Sequence, residues 1–180
     1  MLKYSRMLKH LWLDAADAQA ALPPALLARL SQQVADSEKR HTGQIRLCVE
    51  AALPISYLWR LGRRVPDGST TQINQLVRER AIMLFSKLRV WDTAHNNGVL
   101  IYLQLAEHAI EIVTDRGLMH VPDAHWQALT RRMSAAFAQA QFEDGLTQAL
   151  QEVSAVMVAH FPRTVGADQP NELPDAPLVG

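Results

Sequence analysis

Residues 99–105 form a run that is apolar at all but one position, and a turn-sized segment, residues 106–108, follows it. Beyond that segment, Ile110 and Ile112 alternate with the polar Glu111. A short continuous apolar run is typical of a strand buried on both faces, whereas strict alternation is typical of a strand with one buried face. The two segments therefore predict a β-hairpin whose first strand lies inside a sheet.

A second alternating segment, residues 44–50, places Ile45, Leu47 and Val49 on one side and predicts another strand. Residues 72–88, which precede the hairpin, repeat apolar residues at helical spacing. The order of strand, helix, strand and hairpin strand predicts one mixed sheet with helices packed on it, which is an α/β fold. Further helices are predicted from Pro23 to a point before Gly43, from near Asp123 with Trp126, Leu129, Met133 and Phe137 facing inward, and from about Glu143.

The 180 residues suit one domain, because two cores would each be short of buried surface. We expect residues 1–22 to form an N-terminal segment whose short helix docks its leucine and tryptophan side chains, and residues 23–161 to form the α/β domain. Residues 162–180 contain four prolines and few large apolar residues, so they are predicted to be a disordered tail. Deletion of Arg163 to Gly180 is then expected to leave thermal stability nearly unchanged.

Residues 51–71 show no regular period and contain Pro54, Gly62, Pro66 and Gly68, which predicts a long irregular connection. Three arginines lie close together in this connection. They suit either a phosphate or an acidic partner, but three arginines on a connection are more often solvated. The arginines are Arg60, Arg63 and Arg64.

Charge and cysteine content limit the kinds of binding partner and the cellular compartment that suit this chain. Lys plus Arg and Asp plus Glu both number 18, so no overall field favours nucleic acid. Cys48 is the one cysteine, which excludes an internal disulfide. No apolar stretch resembles a secretory signal or a membrane span, so we expect a cytoplasmic protein. Weak membrane-surface contact by the basic, amphipathic N-terminus is the alternative to docking.

The polar residues that flank the hairpin are the candidates for chemistry. Three loop carboxylates and two asparagines lie there, and oxygen ligands of this kind suit Ca²⁺ or Mg²⁺. The alternative is structural, because the same residues cap helices and shape turns. Arg116 is a candidate phosphate ligand, or else an ion-pair partner of Glu111 or Asp115. The five candidate metal ligands are Asp92, Asn96, Asn97, Asp115 and Asp123.

Other kinds of site lack support. The histidines His95, His108, His120 and His125 do not have the paired spacing of zinc sites, and we expect them to be exposed. A glycine-rich phosphate loop, a nucleophile elbow and a Cys–His arrangement are all missing from the sequence. We therefore expect no organic cofactor and no covalent catalysis.

Two segments carry a family resemblance. They are Asn96-Asn97-Gly98-Val99-Leu100 before the hairpin and Asp115-Arg116-Gly117-Leu118 after it. Residues 25–161 resemble the TPM domain, also called domain of unknown function 477, a family that includes a plant thylakoid-lumen acid phosphatase. The resemblance implies an α/β/α sandwich, in which helices flank a small mixed sheet on both faces. It also implies a divalent-metal-binding, phosphatase-like site on loops at one edge of the sheet.

Two functional hypotheses of different classes follow. One is a metal-dependent hydrolase of phosphate monoesters. The other is a non-catalytic module that binds a protein partner, which the family context associates with envelope or membrane-stress proteins. The sequence leaves the substrate, the partner and the oligomeric state open.

Overall fold

The computed structural model describes residues 8–64, 70–139, 141–164 and 170–180. Three strands form the body of the sheet: β1 (Gln44–Glu50), β2 (Gly98–Gln104) and β3 (Ala109–Thr114). β1 and β2 are parallel, β2 and β3 are antiparallel, and a two-residue strand, β4 (Leu178–Val179), pairs with the other edge of β1. The order across the sheet is β3-β2-β1-β4. The predicted mixed sheet and hairpin are therefore confirmed.

Helices cover both faces of this sheet. Their bounds are α1 Ala15–Ala21, α2 Pro24–Glu38, α3 Ile55–Arg64, α4 Thr70–Lys87, α5 Asp123–Ala138 and α6 Phe142–His160, with a 3₁₀ turn at Arg116–Leu118. Asp14 caps α1 by accepting from the backbone of Ala16 and Asp17, while the Asp17 carboxylate accepts from the Asp14 backbone in return. This reciprocal pair satisfies amide groups that a helix start leaves unpaired.

Alternate side chains of the strands enter two separate cores. On one face, Ile101 and its neighbours pack with α1, α2, α5 and α6, and on the other, Leu100 and Tyr102 pack with α3 and α4. β2 is fully buried because both of its faces are covered, which is the reason for its continuous apolar run. The chain is therefore the α/β/α sandwich that the resemblance implied.

The connection between β1 and α4 differs from its prediction. Residues 55–64 form α3 rather than an irregular segment, and Pro54 lies immediately before the first turn. The prolines and glycines in and beside this segment favoured the irregular interpretation, although its apolar residues have helical spacing. Two of these apolar residues, Ile55 and Trp59, are exposed. Arg60 stacks on the ring of Tyr57 at 4.1 Å, and its guanidinium donates to Glu79 at 3.0 Å. Residues 65–69 and the side chains of Arg63 and Arg64 lie outside the described residues.

The tail prediction is wrong for residues 170–180. Leu173 is buried in the core beside α4, and β4 extends the sheet. Buried Arg46 on β1 donates to the carbonyl oxygens of Pro174, at 2.7 Å, and Ala176. The tail is ordered because its backbone carbonyls and amides pair with side chains of β1, a contribution that apolar content does not reveal.

The N-terminal segment packs on the domain, but through only some of the expected side chains: Leu22 is buried in the core and Leu13 packs against it. Residues 8–12 are helical, and His10 is buried, with Nδ1 accepting from Leu53 N at 3.1 Å and Nε2 lying 2.9 Å from Glu107. Leu8, Leu11 and Trp12 are exposed, so the prediction that these side chains pack on the domain is wrong. Residues 1–7 lie outside the described residues. Within the described part of the chain, no helix has the length and hydropathy to cross a membrane.

Candidate cation site at the amino ends of strands β1 and β2

Three loops meet where β1 and β2 begin and β3 ends: residues 41–43, 92–97 and 115–118. We call them the loop cluster. Asn97 O accepts from Gln44 N at 3.3 Å, and Gly98 O accepts from Asp115 N at 2.9 Å, so the strand ladders continue into the loops. The cluster thus joins the amino ends of two parallel strands to the carboxyl end of their antiparallel neighbour.

Two glycines allow the loops to approach each other. A Cβ atom on Gly98 would lie 1.9 Å from the backbone oxygen of Val90, and one on Gly117 would lie 2.4 Å from that of Asn96. Gly117 N in turn donates to Asn96 O at 2.9 Å. Both glycines belong to the segments that carry the family resemblance, and their role is close backbone packing.

Asn97 is fully buried and holds two loops together. Its Nδ2 donates to Thr42 O at 2.9 Å and to Thr42 Oγ1 at 3.3 Å, while its backbone N–H donates to Thr93 Oγ1 at 3.1 Å. Its Oδ1 atom is buried and has no hydrogen-bond partner in the described part of the chain. The amide is therefore oriented through its nitrogen, which leaves an oxygen available as a ligand.

Asp115 and Arg116 lie on the opposite loop. Asp115 Oδ1 accepts from Arg116 N at 2.7 Å, and this contact caps the 3₁₀ turn. Oδ2 is buried, and none of the described residues is its hydrogen-bond partner. The exposed Arg116 side chain donates through Nε to Asn96 Oδ1 at 2.8 Å rather than forming the expected ion pair. Asn96 adopts a left-handed backbone, with φ of 52°. Its role is thus to shape the turn and to orient Arg116.

The remaining predicted ligands have other positions. Asp92 forms an ion pair with Arg89 at the surface. Asp123 lies in the first turn of α5 and lines a different groove of about 420 Å³ beside β3. Among the described residues, no three His, Cys, Asp or Glu side chains are grouped so as to hold a metal ion. The three carboxylates predicted to converge do not form such a group.

Glu172 in the tail is a site residue that the sequence did not reveal. Its Oε2 accepts from Ala94 N in the loop cluster at 2.9 Å, and its backbone N–H donates to Gln44 Oε1 at 2.7 Å. Its Oε1 is buried and has no hydrogen-bond partner within residues 8–64, 70–139, 141–164 and 170–180. Of five such buried side-chain atoms in the described part of the chain, three belong to Asn97, Asp115 and Glu172. Because residues 162–180 were predicted to be disordered, the sequence did not indicate that this glutamate belongs to a site.

A second group of buried polar residues supports the start of β1. Glu38 Oε1 accepts from Ile45 N at 2.8 Å, and burial, with a smaller effect of Asp175, raises the pKa of Glu38 to about 7. His41 lies between Ser37 Oγ, at 2.8 Å, and Gly43 O, at 3.0 Å. Burial lowers the pKa of His41 to about 4, so this imidazole is neutral near pH 7.

We expect Glu38→Gln to stabilise the protein in neutral and alkaline solution. The carboxyl ionises near pH 4.5 in the unfolded chain but near pH 7 in the folded one, so folding stability falls as pH rises across that window. Glutamine keeps the acceptor for Ile45 and carries no charge. The variant should match the parent below pH 4.5 and exceed it by about 3 kcal/mol above pH 7.

Urea unfolding across this pH range measures the difference between variant and parent. Glu143→Gln is the control, because Glu143 is an exposed glutamate paired with Arg29 on the surface and should show little change with pH. An equal free energy of unfolding for Glu38→Gln and the parent above pH 7 would contradict the raised pKa.

Comparison with known proteins identifies the family. The family model of the TPM domain matches residues 15–156. The solved NMR structure of the BA42 protein from the psychrophilic bacterium Bizionia argentinensis has the same fold, with a TM-score of 0.69 and 24% sequence identity. The match covers 88% of this chain and 95% of that one. No significant match was found among curated proteins. The chain therefore belongs to the TPM domain family.

Proposed function

We propose that this protein binds a divalent cation, Ca²⁺ or Mg²⁺, through Asn97, Asp115 and Glu172. The supporting observation is that each of them holds a buried oxygen that has no hydrogen-bond partner among the residues that the structure describes. Such an oxygen costs about 1–3 kcal/mol, and a bound cation would remove that cost. Carboxylate and amide oxygens are the ligands that these hard cations prefer, and backbone carbonyls and water would complete the coordination.

Hydrolysis of phosphate monoesters is the reaction that we propose for this site. A bound cation supplies polarisation of a phosphate oxygen and a more acidic bound water. Arg116 is exposed beside Asp115 and donates through Nε to Asn96, which supports a role of its guanidinium in binding another phosphate oxygen. Turnover of an aryl phosphate that requires the cation and falls in Arg116→Gln would support hydrolysis, whereas cation binding without turnover would exclude it.

A non-catalytic binding module is the second candidate. Trp12 and Trp59 are 82% and 66% exposed, and Ile55 lies one helical turn before Trp59. Large exposed apolar side chains are typical of surfaces that bind a protein partner. A partner among envelope or membrane-stress proteins would fit this reading. Retention of a partner by the parent and its loss in Trp59→Ser would favour the module.

We expect Ca²⁺ to raise the melting temperature of the parent protein. A ligand that binds only the folded state stabilises it by an amount that grows with its free concentration relative to Kd. Asp115→Asn keeps the oxygen that caps the 3₁₀ turn but replaces the unpartnered oxygen with an amide group. The calcium-dependent shift should therefore nearly disappear in Asp115→Asn, and it should fall in Glu172→Gln. Differential scanning fluorimetry with a calcium titration measures both.

Two controls sharpen this test. Asp144→Asn alters an exposed carboxylate in the first turn of α6, and Asp123→Asn alters one that lines a different groove. Both should retain the full calcium response. No response in the parent, or an unchanged response in Asp115→Asn, would contradict the proposed site. Loss of the response in Asp123→Asn alone would assign the cation to the groove beside β3 instead.

A further inference from the structure

Two exposed histidines from distant parts of the chain face each other near the loop cluster. His120 Nε2 lies 2.7 Å from His160 Nδ1, and the rings meet edge to face with centroids 4.3 Å apart. His120 follows the 3₁₀ turn, and His160 is the last residue of α6. Forty positions separate them, so the fold and not local sequence brings the two nitrogens together.

The surroundings keep this pair in place. Phe161, next to His160, accepts from Thr42 N at 2.9 Å, which ties the end of α6 to the start of β1. Leu118 and Val121 on either side of His120 are buried in the core. The backbone at each histidine is thus anchored while both imidazoles remain exposed to solvent.

We propose that His120 and His160 form a binding site for a divalent transition metal such as Zn²⁺ or Cu²⁺. Neutral imidazole nitrogen is a preferred ligand of these metals, and of the two, Cu²⁺ binds nitrogen sites more tightly. With Zn–N bonds of about 2.0–2.1 Å and tetrahedral angles, two ligating nitrogens lie about 3.4 Å apart. The pair needs to separate by only about 0.7 Å to hold zinc, which small side-chain rotations of exposed residues provide.

The residue before His120 in the sequence carries a different type of donor atom. Met119 immediately precedes His120 and is 83% exposed, which is unusual for a large apolar side chain. A thioether is a soft ligand that suits copper, especially Cu(I). Water would fill the positions that the two imidazoles leave open. This site differs in chemistry from the proposed calcium site, because nitrogen and sulfur donors are poor ligands for Ca²⁺.

Zinc titration of the full-length protein tests the proposal. We expect Zn²⁺ to raise the melting temperature of the parent and to perturb the ring resonances of His120 and His160 in NMR spectra. His120→Asn and His160→Asn each remove one ligand and should weaken zinc binding at least about tenfold. Each shift is compared with the zinc-free melting temperature of the same variant, so a lost His–His hydrogen bond does not affect the comparison.

His125→Asn is the matched control, because His125 is an exposed histidine near the start of α5 and contacts Trp126 instead. It should keep the full zinc response, as should Asp115→Asn. An unchanged zinc response in both His120→Asn and His160→Asn would overturn the proposal. So would loss of the response in Asp115→Asn, because zinc would then occupy the carboxylate site. Failure of calcium binding in the parent affects only the proposed function.

Discussion

Deletion of residues 170–180 should lower the melting temperature by about 10 °C or more, corresponding to a loss of roughly 4 kcal/mol. The deletion exposes the core surface that Leu173 covers and removes the strand that pairs with β1. It also leaves the buried Arg46 guanidinium without the carbonyls of Pro174 and Ala176. A buried cation that loses its partners is more costly than a lost apolar contact.

Thermal unfolding of the truncated and full-length chains measures this effect. Two substitutions in the full chain separate its causes, because Leu173 is buried whereas Leu178 is partly exposed. Leu173→Ala should account for about 2–3 kcal/mol, and Leu178→Ala for much less. If the truncated chain melts at the temperature of the full chain, the tail does not stabilise the domain.

The parts of the fold that were predictable have a strong and regular apolar pattern. Residues 99–105 are buried on both faces of the sheet, so nearly every position is apolar and the continuous apolar run predicts the strand. The apolar stripe of α5, with Trp126 and Phe137 facing inward, was predictable because its residues are buried in the core. Local pattern and tertiary burial agree in these elements, which is the condition for prediction from sequence.

The two missed elements were missed for different reasons. α3 is short, and the turn-forming residues Pro54, Gly62 and Pro66 in and beside it outweighed the helical spacing of its few apolar residues. β4 was missed because hydrogen bonds hold the tail to β1: the Gln44 side chain accepts from the tail backbone, and the Arg46 side chain donates to it. A partner some 130 positions away is set by the fold and cannot be read from the composition of the tail.

The sequence likewise predicted some residues of the candidate site and missed others. Asn97 and Asp115 flank the hairpin in sequence, so the hairpin itself brings their loops together. Asp92 and Asp123 lie farther from the hairpin in sequence, and their side chains lie elsewhere: Asp92 forms an ion pair with Arg89, and Asp123 belongs to the first turn of α5. Glu172 reaches the cluster only through the tail. Position along the chain therefore predicted which loops form the candidate site, but it did not predict which of their side chains face that site.

The last prediction concerns Gly98, the glycine of the segment that begins β2. We expect Gly98→Ala to cost about 4 kcal/mol or more, since a Cβ there would lie 1.9 Å from Val90 O. The neighbour is backbone, and Val90 is itself buried, so β2 or the preceding loop would have to move. Alanine restricts the unfolded chain more than glycine does, but that effect stabilises by only about 0.4–1 kcal/mol.

Gly43→Ala is the matched comparison, because it makes the same change at the start of β1. There the Cβ would meet Met157 Sδ at 2.6 Å, and this is a flexible side chain that can shift. We therefore expect Gly43→Ala to cost far less than Gly98→Ala when urea unfolding of both is compared with the parent. Equal costs would mean that the loop before β2 can yield as easily as a methionine side chain. In that case the glycine in the Asn-Asn-Gly segment would not be explained by backbone packing.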